Sequence, residues 1–153
     1  MGSDVGGVVH TGIRKTDIIW IEQRNLLTRV VQSFINDANN LRFKYCIEDL
    51  EPIQFARYKE KDFYDWHTDN FPREDSTREL NRKLSLMIQL SDPNDYDGGN
   101  LQFFNGINDP EEPDIKQQGS VIVFDSRDWH RLTPVTKGKR FSIVCWASGK
   151  KFQ

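Results

Sequence analysis

Trp129-His-Arg-Leu-Thr-Pro-Val135, Thr136-Lys-Gly-Lys139 and Arg140-Phe-Ser-Ile-Val-Cys-Trp-Ala147 read in succession as a β-strand, a turn and a second β-strand. Residues two apart on a strand face the same way, so Arg140, Ser142, Val144 and Trp146 share one face and Phe141, Ile143 and Cys145 the other. The second face is apolar throughout and should pack on a core layer. Taken as a hairpin, the pair sets His130 opposite Val144 and Arg140 opposite Pro134. Upstream lie an entry strand over Thr11–Ile21 and strand-like runs at 41–48, 52–59, 63–68, 83–91, 99–104 and 119–125. Between Glu22 and about Ala38, Leu26, Leu27, Val30, Val31, Phe34 and Ile35 recur at one-turn spacing, which predicts an amphipathic helix covering a sheet. The expected fold is mainly β: a double-stranded β-helix (jelly-roll) barrel with N-terminal helical support. It forms one domain over residues 1–153, with 1–11 as a flexible tail.

Arg140 is out of place on a strand face that also carries Val144 and Trp146, because a cation there needs an anion or water. The plain alternative is a solvent-facing strand with Arg140 in a surface salt bridge. His67-Thr68-Asp69 gives the arginine a context. Two residues apart on a strand, His67 and Asp69 can grip one ion together. His130, from a distant strand, would close one triangular face and leave the remaining positions open, the 2-His-1-carboxylate pattern that suits Fe(II). An H-x-D triplet alone also fits a surface histidine beside an acid. However, the chain has three histidines, and two fall in this set. The third, His10, sits in a Gly/Val-rich start and reads as a tail residue. From the hairpin register, Arg140 lies about 13 Å along the strand from the metal level. Its own side chain covers about half of that. The rest is about the span of a five-carbon diacid, whose far carboxylate a guanidinium can hold in a bidentate pair.

From about residue 13 to 148 the sequence resembles the Fe(II)/2-oxoglutarate dioxygenases of the prolyl hydroxylase type, both the small bacterial or viral prolyl 4-hydroxylases and the bacterial PKHD-type hydroxylases. The stretches that carry the resemblance are Gln54–Tyr58, Phe63–Asp69, Arg82–Leu90, Asp97–Phe103, Gly119–Phe124, His130–Val135, Gly138–Ser142 and Trp146. The resemblance implies that His67, Asp69 and His130 ligate iron and that Arg140 pairs with the tail carboxylate of 2-oxoglutarate. It also implies that Tyr58, Leu101, Leu132 and Ser142 line the co-substrate pocket. Gln89 belongs with them, standing where many relatives carry tyrosine. Tyr64, Arg82 and Trp146 match positions that meet the peptide substrate. Read on its own, Trp146 is either an apolar wall for a substrate ring or an ordinary core tryptophan. The implied cofactors are Fe(II), 2-oxoglutarate and O₂, with ascorbate as an accessory reductant. The implied reaction couples oxidative decarboxylation of 2-oxoglutarate to hydroxylation of a prolyl residue in a peptide or protein.

Composition adds bounds. The chain has 153 residues, 37% of them hydrophobic, enough for a real core in one domain. A net charge of −2 gives no electrostatic reason to expect nucleic acid. No transmembrane or signal-peptide pattern stands out, so a cytoplasmic location is expected. Cys46 and Cys145 lie in strand-like apolar runs and read as reduced, buried thiols. The charged loop Asn70–Asn81 reads as a lid or substrate-binding loop. Asp92–Gly99 lacks the ligand spacing of a Ca²⁺ loop and reads as a strand-linking turn. Two other functions stay open: the same chemistry on a free amino acid, small metabolite or alkylated base, and a metal-binding barrel or zinc hydrolase. Arg140 speaks against the last, since a hydrolase has no need of a diacid anchor.

Overall fold

Alternation of apolar and polar residues over short runs lays down an antiparallel sheet, and one helix covers it. The computed structural model describes residues 6–22, 25–70, 77–107 and 109–151. Its first elements are β1 (Gly6–His10), β2 (Arg14–Ile21) and α1 (Leu26–Ala38), followed by a π-helical turn (Asn39–Phe43). Then come β3 (Asp49–Leu50), β4 (Ile53–Tyr58), β5 (Phe63–His67) and β6 (Leu80–Gln89), and a 3₁₀ turn at Pro93–Asp95. The chain continues through β7 (Tyr96–Gly98), β8 (Leu101–Phe103), β9 (Val121–Asp125), β10 (His130–Leu132), β11 (Val135–Gly138) and β12 (Arg140–Lys150).

The main sheet runs β8-β10-β5-β2-β4-β12-β6-β9, with β1 added on β2 and β3 on β12, and β7 and β11 form a separate pair. The sheet curls until its two ends meet: Phe103 on β8 and Phe124 on β9 pack edge to face at 5.0 Å. This is the expected jelly-roll class. One core lies outside the curl, where Val31 and Ile35 of α1 pack on Leu84, Leu86, Ile143 and Cys145. The other lies inside it and includes Tyr58, Met87, Leu101 and Leu132. Ile143 and Cys145 therefore face outward under the helix, while Val144 packs against the inner cluster. The parity of β12 holds.

The hairpin register does not. β12 pairs with β4 and β6, whereas β10 pairs with β5 and β8. Arg140 thus lies opposite Tyr58 rather than Pro134, and His130 opposite His67 and Phe103 rather than Val144. The cause is Val135–Gly138, which leaves the main sheet to pair with β7. At Gly138 (φ +73°) a Cβ would collide with the Asp95 carbonyl oxygen, so only glycine allows this approach.

Other expectations also change. The run 41–48 is not a strand: the helix ends in the π-turn, and Asn39 takes the place of a partner strand. Its side chain donates to Tyr45 O and accepts from Tyr45 N, both at 2.8 Å. The helix starts at Leu26 with Asn25 as its cap (Thr28 N to Asn25 Oδ1, 2.9 Å). Leu26, Val30 and Phe34 are exposed, because only the Val31/Ile35 edge of the stripe meets the sheet. Gly6–His10, expected as tail, pairs with β2. Residues 1–5 lie outside the described residues, as do 71–76 of the expected lid. Cys46 is exposed, since its run makes no strand; Cys145 is buried. Among the described residues no helix is long and apolar enough to cross a membrane.

Candidate metal and co-substrate site

Strand pairing builds the site. His67 ends β5 and His130 opens β10, and the two are direct partners across the ladder. Asp69 follows His67 by two residues and is fixed by its backbone N–H, which donates to Ser126 O at 2.8 Å. One ligand atom from each of the three side chains falls within 4.8 Å of the others, and all three residues are buried.

The outer contacts set the protonation pattern. His67 Nδ1 lies 2.6 Å from Asp65 O, and His130 Nδ1 lies 2.8 Å from Asp128 O. A carbonyl oxygen can only accept, so each Nδ1 carries the proton and each Nε2 presents a lone pair. Both Nε2 atoms approach the same oxygen, Asp69 Oδ1, at 3.3 and 3.5 Å. Asp69 Oδ2 is taken on the other side by Ser85 Oγ (2.6 Å) and by the Trp146 indole N–H (3.0 Å). The carboxylate therefore has one oxygen left to offer. Burial works to raise the Asp69 carboxyl pKa. The His67 and His130 imidazoles, when they are protonated, and the Ser85 hydroxyl outweigh it and hold the group well below the usual carboxylate range. Burial pushes His130 below its ordinary value, against the pull of Asp69. Two neutral imidazoles and one carboxylate oxygen fit a divalent iron with open positions. The tyrosine ring of Tyr64 stacks on His67 with centroids 3.5 Å apart, and Phe124 meets His130 at 4.8 Å.

Arg140 lines the same cavity and is 2% exposed. Its partners are weak: Ser142 Oγ at 3.3 Å and Met87 Sδ at 3.1 Å, with Nε buried and unpartnered. No carboxylate lies within ion-pair distance among the described residues. Burial lowers its pKa, offset in part by the phenols of Tyr96 and Tyr58. A buried guanidinium in this condition calls for an anion.

The cavity also brings in Tyr58, Tyr64, Leu132, Ser142 and Trp146. Leu101 and Gln89 are placed elsewhere, in a small neighbouring cavity that touches Arg140 from its other side. There Gln89 Nε2 donates to Tyr96 OH at 2.8 Å. Arg82 stands outside the cavity lining. It is held bidentately by Glu51 (2.9 and 2.6 Å) with its guanidinium 3.8 Å from the Trp146 ring centroid. Reading the sequence missed Ser85, Tyr96, Arg14 and Gln54. Ser85 shares a face with Met87 and Gln89 of β6, so parity could have found it. Tyr96 was passed over inside a turn, Arg14 lies on the entry strand, and Gln54 opens a stretch that carried the resemblance without being given a role.

A family model for the 2OG-Fe(II) oxygenase superfamily matches residues 53–148, which include every residue of the triad and Arg140. The chain belongs to this superfamily. The chain is 36% identical over 122 residues to a PKHD-type hydroxylase of Nitrosomonas europaea, covering 76% of this chain and 52% of that protein. It is 35% identical over 98 residues to a PKHD-type hydroxylase of Alteromonas mediterranea, covering 62% and 42%. It thus spans about half the length of the curated relatives it matches. Among solved structures, a Pseudomonas putida prolyl-4-hydroxylase superposes with a TM-score of 0.71 at 25% identity, covering 92% of this chain and 75% of that one. The viral collagen prolyl hydroxylase of Paramecium Bursaria Chlorella virus-1, solved with 2OG, shares the fold (TM-score 0.70, 22% identity, 90% and 80% covered).

Proposed function

We propose that this chain is an Fe(II)- and 2-oxoglutarate-dependent hydroxylase that acts on a prolyl residue. The observation that carries the chemistry is the pairing of a His-Asp-His triad with Arg140, a buried cation with no carboxylate partner among the described residues, in one cavity. His67 Nε2, His130 Nε2 and Asp69 Oδ1 would hold the iron, and Arg140 with Ser142 would hold the far carboxylate of the diacid. When bound, iron and 2-oxoglutarate supply an oxidative decarboxylation by O₂ that yields succinate and CO₂ and inserts one oxygen atom into a substrate C–H bond.

The chain's own residues do the rest. Ser85 and Trp146 keep Asp69 Oδ2 occupied, which leaves Oδ1 as the carboxylate oxygen that would hold the metal. The carbonyls of Asp65 and Asp128 keep both imidazoles in the ligating tautomer. Tyr64, Phe124 and Trp146 wall the site with apolar surface that excludes water. Resemblance to PKHD-type hydroxylases supports a hydroxylase, and the likeness to a bacterial prolyl-4-hydroxylase supports a prolyl substrate. A prolyl hydroxylase from Trichoplax adhaerens, solved in complex with a peptide fragment, shares the fold at 24% identity.

The test is direct. Incubated with Fe(II), 2-oxoglutarate, ascorbate and O₂, the protein should form succinate, and His67→Ala or Asp69→Ala should abolish it. Parent-level succinate from either variant would remove the triad from the chemistry.

A further inference from the structure

Among the described residues two guanidiniums line the catalytic cavity, and the function proposed above uses one of them. The second is Arg14, on the first residue of β2. Its Nη2 donates to the neutral amide oxygen Gln54 Oε1 at 2.6 Å, and its Nε is buried with no partner. Its guanidinium carbon sits 4.6 Å from the Tyr64 ring centroid, and that ring in turn stacks on the metal-facing His67. The result is a column of guanidinium, phenol and imidazole that ends at the metal position.

Elsewhere in the molecule arginines near a carboxylate are matched by it: Arg57 by Asp17, Arg82 by Glu51, Arg127 by Asp125. Arg14 has no carboxylate within ion-pair distance among the described residues. Arg82 is ruled out as an anion receptor because Glu51 already takes its Nε and Nη2. Arg140 is committed to the co-substrate. Arg14 is therefore the cation of this cavity left for the molecule to be hydroxylated. Gln54, 2% exposed, holds it from one side and Tyr64 supports its plane, so little side-chain freedom is lost when an anion docks.

We propose that Arg14 recognises a free carboxylate on the primary substrate, so that the proline hydroxylated is one bearing its own carboxylate, either the free amino acid or the C-terminal residue of a peptide. A proline in mid-chain offers only a neutral carbonyl there and would leave the guanidinium without its counter-charge. This inference rests on the hydroxylase reading, and the experiment separates the two.

Matched probes are incubated with the protein, Fe(II), 2-oxoglutarate and ascorbate: L-proline against L-prolinamide, and a proline-ending peptide as free acid against its C-terminal amide. Succinate is followed by NMR and the +16 product by mass spectrometry. At least one acid should be hydroxylated with kcat/KM about 10- to 100-fold above its amide, the range for losing a charged hydrogen-bonded partner. Whether the amino acid or the peptide acid responds identifies the source of the carboxylate. Arg14→Gln should erase the preference by raising KM for the acid, and Arg14→Lys, which keeps the charge, should restore part of it. The dissociation constant for 2-oxoglutarate, measured by equilibrium binding with Mn(II), should follow Arg140 and not Arg14. Equal turnover of acid and amide, or an acid preference that survives Arg14→Gln, would overturn the assignment. So would 2-oxoglutarate consumption without hydroxylation of any acid probe. No 2-oxoglutarate consumption in any mixture would overturn it together with the hydroxylase reading beneath it.

Discussion

Arg140 carries a cost that only a ligand offsets. A buried cation loses its hydration, and a thioether and one hydroxyl return little of it. Arg140→Met should therefore stabilise the ligand-free protein, by about 1–3 kcal/mol on the precedent of buried charges replaced by apolar side chains. The same variant should lose the rise in melting temperature that 2-oxoglutarate gives the parent in the presence of Mn(II). A variant that is less stable than the parent and still responds to 2-oxoglutarate would show that the guanidinium is structural. The triad makes a second prediction, about pH. His130 is held below its ordinary 6.5, so on acidification the unfolded chain takes up this proton first, and folding stability falls as the pH drops below about 6.5. Asp69, held below its ordinary 3.8, contributes stability that is present above that value and lost as the pH falls beneath it. Urea titrations of metal-free protein at pH 7.5 and 5.5 should thus show a lower midpoint in acid. His130→Gln, which cannot titrate, should narrow the difference.

Strands carry this site, and their internal rules were easier to read than their partnerships. Side-chain parity is a local property, so Arg140, Ser142, Val144 and Trp146 could be put on one face of β12 from their spacing, and all four line the cavity. For His67 and Asp69 parity does not apply, because β5 ends at His67 and Asp69 is placed beyond it by its backbone bond to Ser126 O. Pairing is not local. The turn over 136–139 looked like a hairpin, yet Gly138 lets the chain press against the backbone at Asp95, and β11 joins β7 instead. Nothing in residues 129–147 alone reveals that contact, because its other half lies some forty residues earlier. Asn39 deceived in a similar way by supplying through its side chain the hydrogen bonds that a neighbouring strand would have made to Tyr45. Gly138→Ala tests the corrected topology. Its methyl would meet the Asp95 carbonyl, and φ of +73° disfavours any side chain. A loss of about 2 kcal/mol or more is expected, with weaker 2-oxoglutarate binding because Arg140 starts two residues later. A neutral effect on stability would mean that β11 does not lie against β7.

At the scale of the whole molecule, metal binding depends on how the sheet closes. The strand path begins at β8 and ends at β9, and these ends touch through Phe103 and Phe124. Both rings also face His130, at 5.9 and 4.8 Å, so the seam of the barrel is one wall of the metal site. Truncating a large buried aromatic leaves a cavity and costs about 3–5 kcal/mol. Phe124→Ala should therefore lower stability by that order. It should also weaken Mn(II) binding, because His130 would lose the ring that fixes its plane while keeping its bond to Asp128. Phe124→Leu restores apolar bulk without the flat ring and should recover stability more than metal affinity. Equilibrium dialysis with Mn(II), run beside urea denaturation on the same three proteins, separates the two effects. If metal affinity stayed at the parent value while stability fell, the seam would support the barrel without shaping the site.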